Sequence, residues 1–296
     1  MTTVGDQQFE VEMRRNPRDQ YARLLYADWL ESEGRNEDAM FIRCLHKLAT
    51  EKVKRVSDRR ALENQLRQLA LSRQFRPGPF WTNCIGMKFA WVQDDLHYPA
   101  GGFWLGVYPV TQAQYLRVKK NNPSFFNKEG VDLNGYPVDG VRWGDCYEFI
   151  HWLELLDKYN RYELPTPSEW VTACSGGIHC SDYWFRDYPF KYANVYTGIP
   201  HNNTTPVDKY PANPFGIKDM IGNVWEWCKT EPNETMWRPI MGPSWAYPAM
   251  APKAQLNRSL GQGNSANTHV LSADIGFRIK LVNIIPTVVD KDQKPC

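Results

Sequence analysis

The chain has 296 residues, 42% hydrophobic and 23% charged, with a formal net charge of +2. That length buries a substantial core in one or two domains, and so even a charge balance excludes a global electrostatic case for nucleic acid or an acidic membrane as partner. The opening stretch MTTVGDQQFEVEMRR has no apolar leader core, and no later run approaches the roughly 18 apolar residues of a membrane span, so the sequence predicts a soluble, cytoplasmic protein.

Residues 1–77 are rich in Leu, Ala, Arg and Glu and contain one tryptophan, Trp29, whereas the other eleven all lie after position 80. This shift predicts a helical domain over 1–77, a second domain over 78–283 and a polar tail over 284–296. Asn16-Pro17 is a good helix start, with a capping side chain followed by proline at the first helical position. Leu24, Leu25, Asp28 and Trp29 follow at helical spacing until Gly34 stops the helix. A second helix is expected over about 36–49 with Phe41, Ile42 and Leu45 inward, and a third over about 58–72 with Leu62, Leu66 and Leu69 inward. The basic stretch Lys52, Lys54, Arg55, Arg59, Arg60 raises nucleic-acid binding. Against it, residues 1–77 hold 15 Lys and Arg against 12 Asp and Glu, with no interleaved aromatic to stack a base. A solvated helix face explains the stretch.

Arg76-Pro77-Gly78-Pro79 is a linker in which two prolines forbid helix continuation. Beyond it come β-prone runs at 87–92 and 103–108 and two helices. Thr111 caps the first; the second runs over about 146–159 with Phe149, Ile150, Trp152 and Leu153 mostly inward. Much of the remainder reads as loop, which predicts that ions or dense aromatic packing hold it together. Seven scattered cysteines lack the paired spacing of a zinc site and read as reduced, mostly buried thiols. Cys174 and Cys180 are close enough for a redox or metal pair, but free thiols are the simpler expectation.

Residues 219–227, DMIGNVWEW, are the most informative stretch. Asp219 and Glu226 bracket a turn at Gly222, and a hard cation takes roughly six to eight oxygens, so two carboxylates with main-chain carbonyls would make a cage. The other reading is a solvated turn before a strand that places Trp225 and Trp227 on one buried face.

In chain order GMKFAWV, FWLGVYPVTQAQYLRV, NNPSFF, YPVDGVRWGD, YELPTPSEW, NPFGIKDMIGNVWEWC and IGFRI resemble the formylglycine-generating enzyme (sulfatase-modifying factor) family over about 82–282. The N-terminal LLYADWLE and FIR resemble the small repeat-companion domain of planctomycete and myxobacterial proteins. The resemblance implies an α+β fold: a small helical bundle followed by a mixed domain related to C-type lectins, rich in irregular structure and holding calcium. The implied calcium ligands are Asp219, Gly222, Val224 and Glu226. A second calcium site begins with Asn194 and Val195, but its later Asp-x-Phe is missing between Tyr196 and Val207; Asn202, Asn203 and Asp208 are the alternatives.

Catalytic members bind copper through two cysteines that follow a Gly-Gly-Ser-aromatic segment, thiolates being soft ligands that select monovalent copper. Here that segment is Met241-Gly242-Pro243-Ser244-Trp245, and the thiolate positions hold Tyr247 and Pro252. No cysteine lies between Cys228 and Cys296, so copper is not expected. Related iron-dependent sulfoxide synthases take histidines from an N-terminal bundle, where this chain has only His46. The expectation is a non-catalytic, calcium-binding pseudoenzyme domain that docks a partner protein. Its candidate contacts are Trp225, Ser244, Trp245, Tyr247, Met250, Asn257, Gln262, Asn264, Asn267 and His269. The competing expectation is an oxidoreductase-type enzyme of different chemistry on the same scaffold; no set of acid, base and nucleophile can be named for it.

Overall fold

A computed structural model describes residues 19–50, 80–93, 102–127, 135–158, 160–176, 193–196, 203–230, 236–247 and 263–284, with single positions 5, 8, 9, 12, 13, 58, 61, 62, 65 and 69. The helix α1 (Gln20–Ser32) is capped by Asp19, whose carboxylate accepts from the N–H groups of Tyr21 (2.9 Å) and Ala22 (3.2 Å). Asn16-Pro17, the expected start, lies outside the described residues, as do the basic stretch and the 76–79 linker. The chain turns at Gly34 into α2 (Asn36–Thr50). Tyr26, Ala27 and Leu30 of α1 cluster with Ala39 of α2, because residues three and four apart share a helix face. In the third expected helix the described positions, including Leu62 and Leu69, are helical. Phe41, Cys44 and Leu69 continue into the cluster that holds Ala90, Val92 and Phe103, and the Arg23 guanidinium lies 5.6 Å from the Trp91 ring centroid.

The larger sheet is antiparallel throughout, in the order β1 (Phe80–Thr82), β2 (Lys88–Gln93), β3 (Gly102–Gly106), β9 (Lys280–Ile284), β4 (Asn160–Glu163). Its middle strands bury both faces. Ala90 and Val92 enter one cluster while Phe89 and Trp91 enter the other, which is why these strands read as unbroken apolar runs rather than alternating ones.

The helix α3 (Gln112–Lys119) starts at the expected cap: the Gln114 N–H donates to the Thr111 hydroxyl, and the Thr111 N–H donates to the Gln114 side chain. The helix α4 (Trp143–Leu156) begins three residues before the expected Cys146, because the Asp145 carboxylate accepts from the Arg142 N–H at 2.8 Å. Cys146, Phe149, Ile150 and Leu153 form its buried stripe. Trp152, expected inward, falls at the stripe's edge and is 50% exposed. The helix α5 (Pro167–Ser175) was not anticipated, although Thr166-Pro167-Ser168-Glu169 spells a capping box with proline at the first position.

The second sheet has the order β7 (Asn264–Asn267), β6 (Trp237–Met241), β5 (Trp225–Trp227), β8 (Ile275–Phe277), with β5 and β8 parallel. Glu226 pairs with Gly276, where a side chain is impossible: a Cβ would lie 2.4 Å from the Val138 carbonyl oxygen. The segment 264–267, expected within a loop, is an edge strand paired with Trp237 to Ile240. Helices and sheets together make the α+β fold. Among the described residues no helix is long and apolar enough to cross a membrane.

Candidate functional site

The Asp219 to Glu226 segment packs as a tight turn running into β5. Asp219, Gly222 and Asn223 all take positive φ (56°, 86° and 65°), a region that Asp and Asn tolerate better than most residues. At Gly222 a Cβ would lie 2.3 Å from the Asn194 carbonyl oxygen; that oxygen also accepts from the Asn223 N–H at 2.9 Å. Asn194 and Val195 therefore lie against this turn, the Asn194 amide donating to the Asn203 carbonyl. The Asn223 side chain accepts from the Thr205 N–H and donates to the Thr205 carbonyl and to Asp219 Oδ2, each within 3.1 Å. Asp219 is buried and its Oδ1 has no hydrogen-bond partner. Burial pushes its carboxyl up to about 7, against the lowering effect of the Asn223 bond and the Arg278 charge.

Glu226 sits differently. The strand turns its side chain into the interior, where it is wholly buried against Arg278, itself wholly buried. Arg278 Nε donates to Oε2 and Nη2 to Oε1, both at 2.6 Å, and Trp170 Nε1 donates to Oε2 at 2.6 Å. The remaining guanidinium donors reach the carbonyls of Gly106 and Lys218 at 2.9 Å and of Val107 at 3.5 Å. One side chain thus ties β8, β5, the end of β3 and the loop before Asp219.

Calcium requires oxygens with lone pairs to spare. Asp219 Oδ1 meets that requirement; the Glu226 carboxylate, with two donors on Oε2, one on Oε1 and its charge matched by Arg278, has little acceptor capacity left. The ligand set implied by the resemblance therefore fits only in part. Copper fits less well: at the one described position where the resemblance implies a thiolate, this chain has Tyr247, a hard phenol oxygen.

Tyr247 belongs to a second cluster, around Trp225. Its ring meets Trp225 edge-on at 6.2 Å, and Trp245 meets Phe126 edge-on at 5.7 Å. The Ser244 hydroxyl, fully buried, donates to Asp274 Oδ2 at 2.8 Å, and Ser272 donates to Oδ1. Trp245 Nε1 donates to the Ala273 carbonyl and the Trp225 N–H to the Asp274 carbonyl. The loop is anchored to the turn by Trp245 N–H to Asn223 carbonyl and Gly222 N–H to Pro243 carbonyl bonds. Nearby, Asp139 is fully buried, accepting from the Phe125 N–H at 2.7 Å through Oδ1 and lacking a partner at Oδ2. Burial pushes this carboxyl up to about 7; the Phe125 and Phe126 N–H groups oppose the shift and the Asp274 charge adds to it.

The expected contacts thus divide into two groups. Trp225, Ser244, Trp245 and Tyr247 come together; Asn264, Asn267 and His269 lie on β7 and the turn after it, with His269 and Asn264 exposed. Met250, Asn257, Gln262, Pro252, Asn202 and Cys180 lie outside the described residues. Sequence reasoning missed Asp139, Ser272 and Asp274. The Ser-Ala-Asp tripeptide before the terminal Gly-Phe-Arg was a readable signal for the last two; Asp139 in Val-Asp-Gly looked like any turn.

Residues 93–281 match the sulfatase-modifying factor enzyme 1-like domain family. The chain is 37% identical over 113 residues to the formylglycine-generating enzyme of Mycobacterium tuberculosis, 34% of this chain and 36% of that enzyme. It is 32% identical over 149 residues to a serine/threonine-protein kinase of Chlamydia caviae, 43% of this chain and 22% of the kinase. The chain therefore spans about a fifth to a third of these relatives' lengths. Among solved structures, Treponema denticola variable protein 1 shares the fold with a TM-score of 0.52 at 20% identity, over 68% of this chain and 98% of that one. With its ordered motifs, its two sheets and this match over most of its length, the chain belongs to the sulfatase-modifying factor enzyme 1-like domain family.

Proposed function

We propose that this family domain is a non-catalytic binding module that docks a partner protein through the aromatic rim of Trp225, Trp245 and Tyr247 and the neighbouring edge of the second sheet. The observation that carries the reading is Tyr247 in place of a copper thiolate, in a chain with no cysteine between Cys228 and Cys296. Cys146, Cys174 and Cys228 offer no substitute, because all three are buried and burial raises their thiols, which suppresses the reactive thiolate. Support for docking comes from β6 and β7. Met236 and Trp237 are 56% and 57% exposed beside Asn267, and exposed aromatics are the side chains that anchor protein interfaces. A calcium ion held by Asp219 with the carbonyls of Gly222 and Val224 belongs to the same reading; by stiffening the turn under the rim it would lower the ordering cost of binding.

Affinity purification of the full chain from its native host tests this. A stoichiometric protein partner should be recovered with wild type and with Leu155→Ala, an exposed control on α4, and be lost with Trp237→Ala. Equal recovery by all three contradicts the docking surface.

A further inference from the structure

The Glu226 carboxylate is wholly buried, and a buried carboxylate requires a paired cation and donors. Its surroundings supply both. Nε and Nη2 of Arg278 take one oxygen each at 2.6 Å, and Trp170 Nε1 adds a third donor at 2.6 Å. A carboxylate paired in this fork geometry with a guanidinium has its charge and most of its acceptor capacity used.

Arg278 cannot step aside for another cation. Every N–H of its guanidinium ends on an oxygen: Nε on Glu226, Nη1 on the carbonyls of Gly106 and Val107, Nη2 on Glu226 and the carbonyl of Lys218. These acceptors come from both sheets and the loop before Asp219, so moving the side chain would strand buried carbonyls in several elements at once. A divalent ion on Glu226 would place two cationic groups around one carboxylate in a low-dielectric interior. Asp219 shows the opposite condition, with a buried Oδ1 that nothing contacts by hydrogen bond.

We infer that Glu226 is the fixed counter-ion of Arg278 and not a metal ligand, so the Trp-Glu-Trp strand is locked by an internal guanidinium. Any divalent ion bound at this turn is held through Asp219 and main-chain oxygens instead. This departs from the role that the family resemblance assigns to Glu226.

The test is thermal melting of the full chain in calcium and in chelator, for wild type, Glu226→Gln and Asp219→Asn. The expected result is that Glu226→Gln melts lower than wild type by the same margin in both conditions, so that any rise in Tm caused by calcium is unchanged by this variant, whereas Asp219→Asn removes it. A calcium-dependent rise that is present in wild type and lost in Glu226→Gln overturns the inference. Should Glu226→Gln fail to fold, wild type itself gives the answer through the Trp170 indole N–H resonance, identified by its absence in Trp170→Phe. The resonance should hold its position as calcium is added; saturable movement in step with the rise in Tm overturns the assignment.

Discussion

Trp225 and Glu226 are adjacent on β5 but face regions of opposite character. Behind Glu226 the polar groups form a closed set in which each guanidinium N–H has an acceptor and both carboxylate oxygens have donors. In front, around Trp225, the set is open: Asp139 keeps an oxygen without a partner, Ser244 and Ser272 share one carboxylate, and the Tyr247 ring meets Trp225 edge-on. The contrast is one of bonding: the Arg278 side chain joins both sheets through Glu226 and the Gly106 carbonyl, whereas the loop at Ser244 is held by its bonds to Asp274 and to the turn.

The largest expected effect comes from breaking the closed region. Glu226→Ala leaves Arg278 buried without its counter-ion and should cost about 3–5 kcal/mol, read from denaturant unfolding. A loss near that of an ordinary surface substitution would mean that the interior is less closed than the geometry indicates.

The open region predicts a pH effect. The Asp139 carboxyl is raised from 3.8 to about 7 on folding, so between these values the folded state holds a proton that the unfolded state has lost. Stability contributed by this group is therefore fully present below about pH 4, falls by at most about 1.4 kcal/mol per unit as pH rises, and is lost above about pH 7. Asp139→Asn removes this fall, so the variant should gain on wild type between about pH 4 and about pH 7 in paired melting curves. Parallel curves would place Asp139 in a better solvated setting than its burial indicates.

Ser244→Ala should have the smallest effect of the three, about 1.5–3 kcal/mol, because Asp274 keeps the Ser272 donor and only one bond to a charged group is lost. A loss matching that of Glu226→Ala would erase the distinction between the two regions.

Local signals made much of the fold legible. Thr111 announced α3, and the apolar runs around Phe89 and Trp104 announced β2 and β3, because caps and apolar patterning act within a few residues. The strand β7 was invisible because Asn-Ser-Ala-Asn has little intrinsic preference for extended structure; its pairing with Trp237 to Ile240 is imposed by the tertiary fold. The turn at Gly222 between Asp219 and Glu226 was legible, but the partner of Glu226 was not. Arg278 lies 52 residues away in sequence, and nothing in Trp-Glu-Trp or Gly-Phe-Arg alone shows that the two charges meet.

The proposal that this chain lacks copper-thiolate chemistry is tested most directly by incubating the full chain, supplied with copper and oxygen, with a cysteine-containing sulfatase-type peptide and following the peptide by mass spectrometry. The cysteine should remain unconverted while a formylglycine-generating enzyme converts it under the same conditions. Catalytic formation of the formylglycine peptide by this chain would contradict the account.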